Sequence, residues 1–262
     1  MIDLHAHMLP GLDDGPAKLE ESLEMAAVYE AAGFSRVAMT PHWVLGSAWQ
    51  PSREKVLKWV AGFRRALVKC GVALEVVPGM EIAMTMGISE LIATEQVLPL
   101  NGGPYVLVEP PFQQLPVGWE QILFEISASG YRVLIAHPER CSHLAREPEA
   151  IQEMVNMGVG IQINWKSLLG RYGQTVKETA WFFLEGGLGH ILATDGHRPE
   201  DIIPEKLHRM KRMLIERLGE ERVDTLIVKN PERVWAGEPV ENITPLIKMK
   251  RKKPRRRWFK WR

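Results

Sequence analysis

Seven short apolar runs alternate with amphipathic stretches over residues 1–195, and this alternation restricts the fold more than any other feature of the chain. The runs cover 2–4, 36–40, 74–78, 105–109, 132–136, 159–163 and 191–194. Each is too short for an ordinary helix and rich in Val, Ile or Leu, as strands buried on both faces are. Between them, 18–32, 54–69, 87–93, 119–129, 148–157 and 175–185 repeat apolar residues at spacings of three and four, the helical period. Gly33, Gly71, Gly130, Gly158 and Gly186 stand where the chain is expected to leave a helix through a left-handed residue. Repeated strand–helix units specify a parallel sheet covered by helices. Seven units with no second core favour an α/β barrel, closed or nearly so, over a doubly wound sheet. Further helical stretches at 204–218 and 220–229 are expected to cover it.

A length of 262 residues suits one such domain. Charge divides the chain in two. Residues 248–262 hold ten Lys or Arg and no acid; removing them from totals of 33 basic and 32 acidic residues leaves 23 against 32, a body of about −9. No apolar run of about 18 residues suggests a membrane span, and the first strand begins too early to leave room for a secretory signal. Two cysteines, Cys70 and Cys141, are too few for a disulfide framework. The expected setting is reducing and cytoplasmic.

In parallel α/β barrels the working face lies at the C-terminal ends of the strands, so the strand exits carry the functional information. The first exit supplies His5 and His7, which alternation places on one side, followed by Asp13 and Asp14. The second reads Thr40-Pro41-His42 and the third Gly79-Met80-Glu81. The fourth run ends at Glu109, the fifth leads into His137-Pro138-Glu139-Arg140, and the seventh into Asp195-Gly196-His197. Six of seven exits thus carry a His, Asp or Glu, and five of the eight histidines stand there. His143, His190 and His208 do not, and act as internal controls. Each group alone has an ordinary explanation as a solvated acid or a partly buried histidine. Together, imidazoles and carboxylates crowded at one mouth call for cations between them. A multinuclear metal site is expected, with ligand types that admit manganese, zinc or iron. Cys141, with Arg146 five positions on, is a rival nucleophile, but no glycine-rich cradle surrounds it.

Ile2-Asp3-Leu4-His5-Ala6-His7, Gly11-Leu12-Asp13-Asp14-Gly15 with Glu20-Glu21-Ser22, Thr40-Pro41-His42, Gly79-Met80-Glu81-Ile82, Ala136-His137-Pro138-Glu139-Arg140, Gln162-Ile163-Asn164 with Ser167-Leu168-Leu169-Gly170, and Ala193-Thr194-Asp195-Gly196-His197 form one set. That set resembles the polymerase and histidinol phosphatase (PHP) metal hydrolases over residues 1 to about 235. It is most similar to their bacterial manganese-dependent protein-tyrosine phosphatase branch, linked to capsule and exopolysaccharide synthesis. The resemblance implies a distorted seven-stranded (βα) barrel over 1–235; the composition beyond it reads as a linker over 236–247 and a basic-aromatic, disordered tail over 248–262. It also implies up to three metal ions, manganese first, with zinc or iron as alternatives. His5, His7, Glu81 and Asp195 would hold one, with Glu81 bridging to a second that also takes Glu109 and His137. Asp14, His42 and His197 would hold the third, Asp13 being able to exchange with Asp14. The implied chemistry is attack of metal-activated water on phosphotyrosine, with Arg140 holding phosphoryl oxygens through its bidentate fork. Two departures from the family pattern stand out: Trp165-Lys166 after Asn164, and Gly196 between Asp195 and His197.

The implied partner is a phosphotyrosine protein, in particular a membrane-associated bacterial tyrosine kinase. A histidinol-phosphate-type small-molecule phosphatase and a nuclease are the alternatives within the fold. The tail supplies a non-enzymatic one. Its charges suit phosphates of nucleic acid. Arg255, Arg256, Arg257, Trp258 and Trp261 fit an anionic membrane surface better, which would make the protein peripheral at the inner membrane.

Overall fold

Nine parallel strands carry the architecture among the described residues, two more than the seven expected, because a further short strand follows the exit of the second and of the third expected strand. In this computed structural model, residues 1–247 are described; the tail, including Arg255, Arg256, Arg257, Trp258 and Trp261, lies outside the described residues. The strands are β1 (Ile2–Ala6), β2 (Arg36–Met39), β3 (His42–Trp43), β4 (Glu75–Pro78), β5 (Glu81–Ala83), β6 (Tyr105–Glu109), β7 (Arg132–Ile135), β8 (Gly160–Asn164) and β9 (Ile191–Ala193). They form a three-stranded sheet, β1-β2-β4, and a six-stranded sheet, β3-β5-β6-β7-β8-β9. The second expected strand ends at Thr40-Pro41, where proline brings no N–H to the ladder. The third ends before Gly79-Met80. Both chains then enter the other sheet, and the switch sets His42 opposite Glu81 in register. At the far edge Asp195 N–H donates to His5 O at 3.0 Å and His7 N–H to Gly196 O at 2.9 Å, tying the β9 exit to β1.

Helices α1 (Leu19–Ala31), α2 (Arg53–Cys70), α3 (Ile88–Ala93), α4 (Trp119–Ala128), α6 (Pro148–Asn156) and α8 (Gln174–Glu185) fall where the period placed them. So does α9 (Pro204–Leu218), which is followed by α10 (Glu220–Asp224) and α11 (Asn230–Trp235). Two short helices directly after strand exits, α5 (Ser142–Arg146) and α7 (Trp165–Leu168), are too brief to show a period. Four of the five expected glycine exits are left-handed, but Gly186 stays helical and Gly187 takes φ +69. A Cβ on Gly187 would stand 2.3 Å from Ile243 O, so the close passage of residues 237–247 selects that glycine. This segment is fastened to the starts of β6 and β9: Tyr105 Oη donates to Glu238 O at 2.8 Å, and Asn230 bonds both Glu241 N and His190 O. No helix among the described residues is long and apolar enough to cross a membrane.

His190, one of the three control histidines, is buried at this end, away from the strand exits. Its Nδ1 accepts Ile161 N–H at 3.2 Å and its Nε2 meets Asn242 Oδ1 at 3.3 Å. Burial pulls its pKa down to about 4. The unfolded chain takes up this proton near pH 6.5 and the folded chain only near 4, so stability falls with pH across that window. A gap of about 2.5 units corresponds to about 3 kcal/mol. His190→Gln is expected to be less stable than wild type at pH 7, with the difference shrinking by about 2–3 kcal/mol at pH 4. Urea denaturation of chelated protein at both pH values measures this, and parallel losses in the two proteins would contradict it.

Candidate metal centre

Strand β1 points Asp3, His5 and His7 inward, and all three are buried. His5 Nδ1 donates to Gln162 Oε1 at 3.0 Å, and His7 Nδ1 to Asp13 Oδ2 at 2.7 Å. An amide oxygen and a carboxylate only accept, so these bonds leave both Nε2 atoms with lone pairs. The two Nε2 atoms lie 3.0 Å apart. Such lone pairs repel, yet the spacing is what two donors at right angles, each about 2.1 Å from a shared cation, would have.

Glu81, at the start of β5, is the hub. Its Oε1 lies 2.9 Å from His137 Nε2 and 3.3 Å from His5 Nε2. Its Oε2 lies 2.8 Å from His42 Nδ1 and 3.3 Å from His7 Nε2. Despite that approach, Glu81 Oε2 and His42 Nδ1 are buried without a hydrogen-bond partner, because the contact is not directed as one. Burial alone would raise Glu81, but the surrounding His5, His137 and His42 rings hold it well below the carboxylate range. Glu109, closing β6, is pushed up to about 7 by burial and then by the Glu81 charge. Orphaned donors and paired acids at one point fit a divalent cation in chemistry as well as in place.

Four groups of side chains bring one donor atom each within 4.8 Å of one another: His7, Asp14, His42 and His197; His5, His7 and Glu81; His5, His137 and Asp195; and His42, Glu81 and Glu109. All nine residues expected as ligands fall in these groups, and Asp13 falls in none. Asp13 instead fixes the His7 tautomer and accepts His42 N–H at 3.0 Å and Gly15 N–H at 3.0 Å. Asp14 Oδ1 faces His197 Nε2 at 3.1 Å and His42 Nε2 at 3.5 Å. Burial pushes Asp14 up, but the His197 contact outweighs it and holds its pKa at about 2.

Two of the four left-handed non-glycine residues among the described residues lie here. His137 (φ +30) and Asp195 (φ +49) are left-handed without being glycine, a conformation that persists only where surroundings enforce it. The enforcement at Asp195 is visible. Its Oδ2 accepts from Asn164 Nδ2 at 2.7 Å and Arg140 Nη1 at 3.1 Å, leaving Oδ1 toward His7 and His5 Nε2 at 3.4 and 3.6 Å. Its carbonyl takes Lys166 Nζ at 2.5 Å and His197 Nδ1 at 2.9 Å, which leaves His197 Nε2 free for Asp14. Gly196 has a steric cause: a Cβ there would meet Tyr29 Oη at 2.7 Å and Ile202 Cδ1 at 2.8 Å.

Around these candidate ligands opens a cavity of about 470 Å³. Arg140 stands on its wall, sandwiched between the Phe112 and Tyr172 rings at 4.5 and 4.3 Å. Trp49 stacks on His42 with centroids 5.1 Å apart. Arg198 and Lys166 add positive charge to the same wall. Cys141 is buried, and burial pushes its thiol up, which removes the thiolate that the rival mechanism requires.

Sequence reasoning assigned no role to Asp3, Gln162, Asn164, Lys166 or Arg198. A signal existed for the middle pair: Gln162 and Asn164 are polar residues two apart within an otherwise apolar strand, and both are fully buried. His143 and His208 take no part, His143 pairing instead with Glu147 at 3.3 Å.

The chain is 33% identical over 197 residues to the tyrosine-protein phosphatase YwqE of Bacillus subtilis, covering 75% of this chain and 77% of that protein. It is 28% identical over 243 residues to the tyrosine-protein phosphatase CpsB of Streptococcus pneumoniae, covering 89% and 98%. A crystal structure from the work on YwqE and CpsB, described as unique metal-dependent tyrosine phosphatases, superposes with a TM-score of 0.85 at 28% identity. It covers 95% of this chain and 100% of that one. The family described as "Capsular polysaccharide synthesis, CpsB/CapC" matches residues 1–236, and the chain belongs to that family.

Proposed function

We propose that the chain is a metal-dependent protein-tyrosine phosphatase acting on a phosphorylated tyrosine kinase or its substrates in capsule or exopolysaccharide regulation. The observation that carries this reading is the cluster of facing, unshared donors around Glu81, set beneath a wall of arginine and aromatic rings. In the same reading the two sheets form one distorted seven-stranded barrel, interrupted at Pro41 and Gly79-Met80, with 236–247 as a linker to the tail. His5, His7, Glu81, Glu109, His137 and Asp195 would hold two ions, and Asp14, His42 and His197 a third, manganese being the first candidate. Bound divalent ions supply Lewis acidity, lowering the pKa of water and offsetting the charge of a phosphoryl dianion.

The protein's own residues do the rest. Arg140 reaches Asp195 with one nitrogen, and its remaining donors address phosphoryl oxygens. Phe112 and Tyr172 hold the guanidinium plane, so little rotamer freedom is lost on binding. Trp49 and Phe112 offer apolar surface to the substrate ring. A phenol leaves with a pKa near 10, which suits a mouth without a dedicated acid. Arg140→Lys retains charge but loses the planar fork, and kcat/KM for a phosphotyrosine peptide is expected to fall about 10²-fold; a change below threefold would contradict the assigned role.

The test is metal analysis alongside hydrolysis of a phosphotyrosine peptide and of histidinol phosphate, before and after chelation. Preference for the peptide, lost on chelation and restored by manganese, is expected. Full activity in metal-free protein would overturn the reading. A preference for histidinol phosphate would move it to the small-molecule class.

A further inference from the structure

A second cavity, of about 560 Å³, lies beside the metal mouth, between the 165–171 segment and α9. Lys166, Arg171 and Asp201 line both cavities, so the two share a wall. The floor of the second is apolar and buried, made by Trp165, Leu168, Leu207 and Met210. Its charge runs against that of the whole. Five cations (Lys166, Arg171, Lys177, Lys206 and Arg209) and two acids (Glu200 and Asp201) line it, a local excess of three positive charges on an acidic body. Lys166 is engaged by Asp201 at 3.4 Å and by the Asp195 carbonyl. Arg171, Lys177, Lys206 and Arg209 make no ion pair among the described residues.

Lys166 and Asp201 also brace Asp195 and His197, but the other lining residues touch none of the candidate metal ligands. An apolar floor and a cationic rim call for a ligand that carries an anionic tip on an apolar stem. The shared wall means that a chain with its phosphotyrosine in the first cavity runs past the second. We propose that the second cavity is a substrate subsite that takes a carboxylate side chain flanking the phosphotyrosine, so that the enzyme prefers acidic peptide contexts. The inference rests on the phosphotyrosine reading of the metal centre.

The test uses the full-length, metal-loaded protein and two phosphotyrosine peptides that differ only in carrying Glu or Gln on both sides of the tyrosine. Wild type is expected to favour the Glu peptide about tenfold in kcat/KM, chiefly through KM, as rim charges steer and hold a complementary partner. The double variant Lys206→Glu/Arg209→Glu changes two exposed residues and should erase the preference. Turnover of p-nitrophenyl phosphate, too small to span both cavities, should be unchanged. Fluorescence anisotropy with non-hydrolysable phosphonate versions of the two peptides should give the same ranking without turnover. Equal kcat/KM for the two peptides in wild type would overturn the subsite and leave the phosphatase reading standing. So would a preference that survives the double variant, or a matching loss of p-nitrophenyl phosphate turnover. Failure to hydrolyse either peptide would remove the phosphatase reading itself.

Discussion

Glu81→Gln is expected to cut phosphotyrosine turnover by about 10²–10³-fold or more and to leave the protein with little bound metal. The substitution preserves shape and removes one charge, and no other position touches so much of the centre. Glu81 approaches His5, His7, His42 and His137, two through each oxygen. Its carboxylate therefore serves every candidate group, either as a member or through a histidine it contacts. An amide presents one neutral oxygen and one NH2 group, and the NH2 must face ring nitrogens that a cation would otherwise use. The loss is expected to show in metal content per chain, measured by emission spectroscopy, and to exceed the loss for Asp13→Asn. Asp13 orients His7 from outside the donor groups, and removing such a partner costs about 10–100-fold. A Glu81→Gln protein with full metal and near wild-type turnover would refute the assignment.

The contrast between Glu81 and Asp13 shows what a sequence exposes and what it hides. The strand exits were legible because chemistry confines ligands to a few residue types and parallel barrels put their ends on one face. His5, His42, His137 and His197 needed only that rule, and His190 was excluded by it. Asp13 and Asp14 were not separable, since both lie in one loop and the choice depends on which carboxylate meets His7 and which meets His197. The sheet exchange was hidden for a similar reason. Pro41 and Gly79 can each end a strand, but only pairing of His42 with Glu81 shows that both chains resume in the other sheet. Lys166 was legible only as a departure from the family pattern. Its role at the Asp195 carbonyl depends on a residue 29 positions away, a relation no local pattern encodes. Polar residues inside apolar strands were the readable trace of such relations, and Asp3 is the strongest case.

Asp3 lies in the middle of β1, fully buried, with no place among the donor groups. Its carboxylate accepts Tyr29 Oη at 3.0 Å from α1, Thr194 Oγ1 at 2.5 Å and Thr194 N–H at 3.2 Å from the β9 exit, and His5 N–H at 3.2 Å. Thr194 Oγ1 in turn accepts Gly196 N–H at 3.0 Å. One side chain thus joins the first strand, the first helix and the turn that carries Asp195 and His197. Burial raises its pKa, and the Thr194 bonds partly offset this. Asp3→Ala leaves Thr194 N–H and one of the two hydroxyl protons without an acceptor, since Tyr29 Oη and Thr194 Oγ1 can then bond only each other, at a cost of about 3–5 kcal/mol. For a chain of this size that lowers the melting temperature by about 10 °C. Asp3→Asn keeps an acceptor and adds a donor that can meet a hydroxyl oxygen, so its cost should be about half. Metal affinity should weaken in the same order, because a loosened Thr194 no longer enforces the left-handed Asp195. Urea denaturation with metal titration of both variants measures the two effects together. Equal stability of Asp3→Ala and wild type would mean that the edge between β9 and β1 is held by its backbone hydrogen bonds alone.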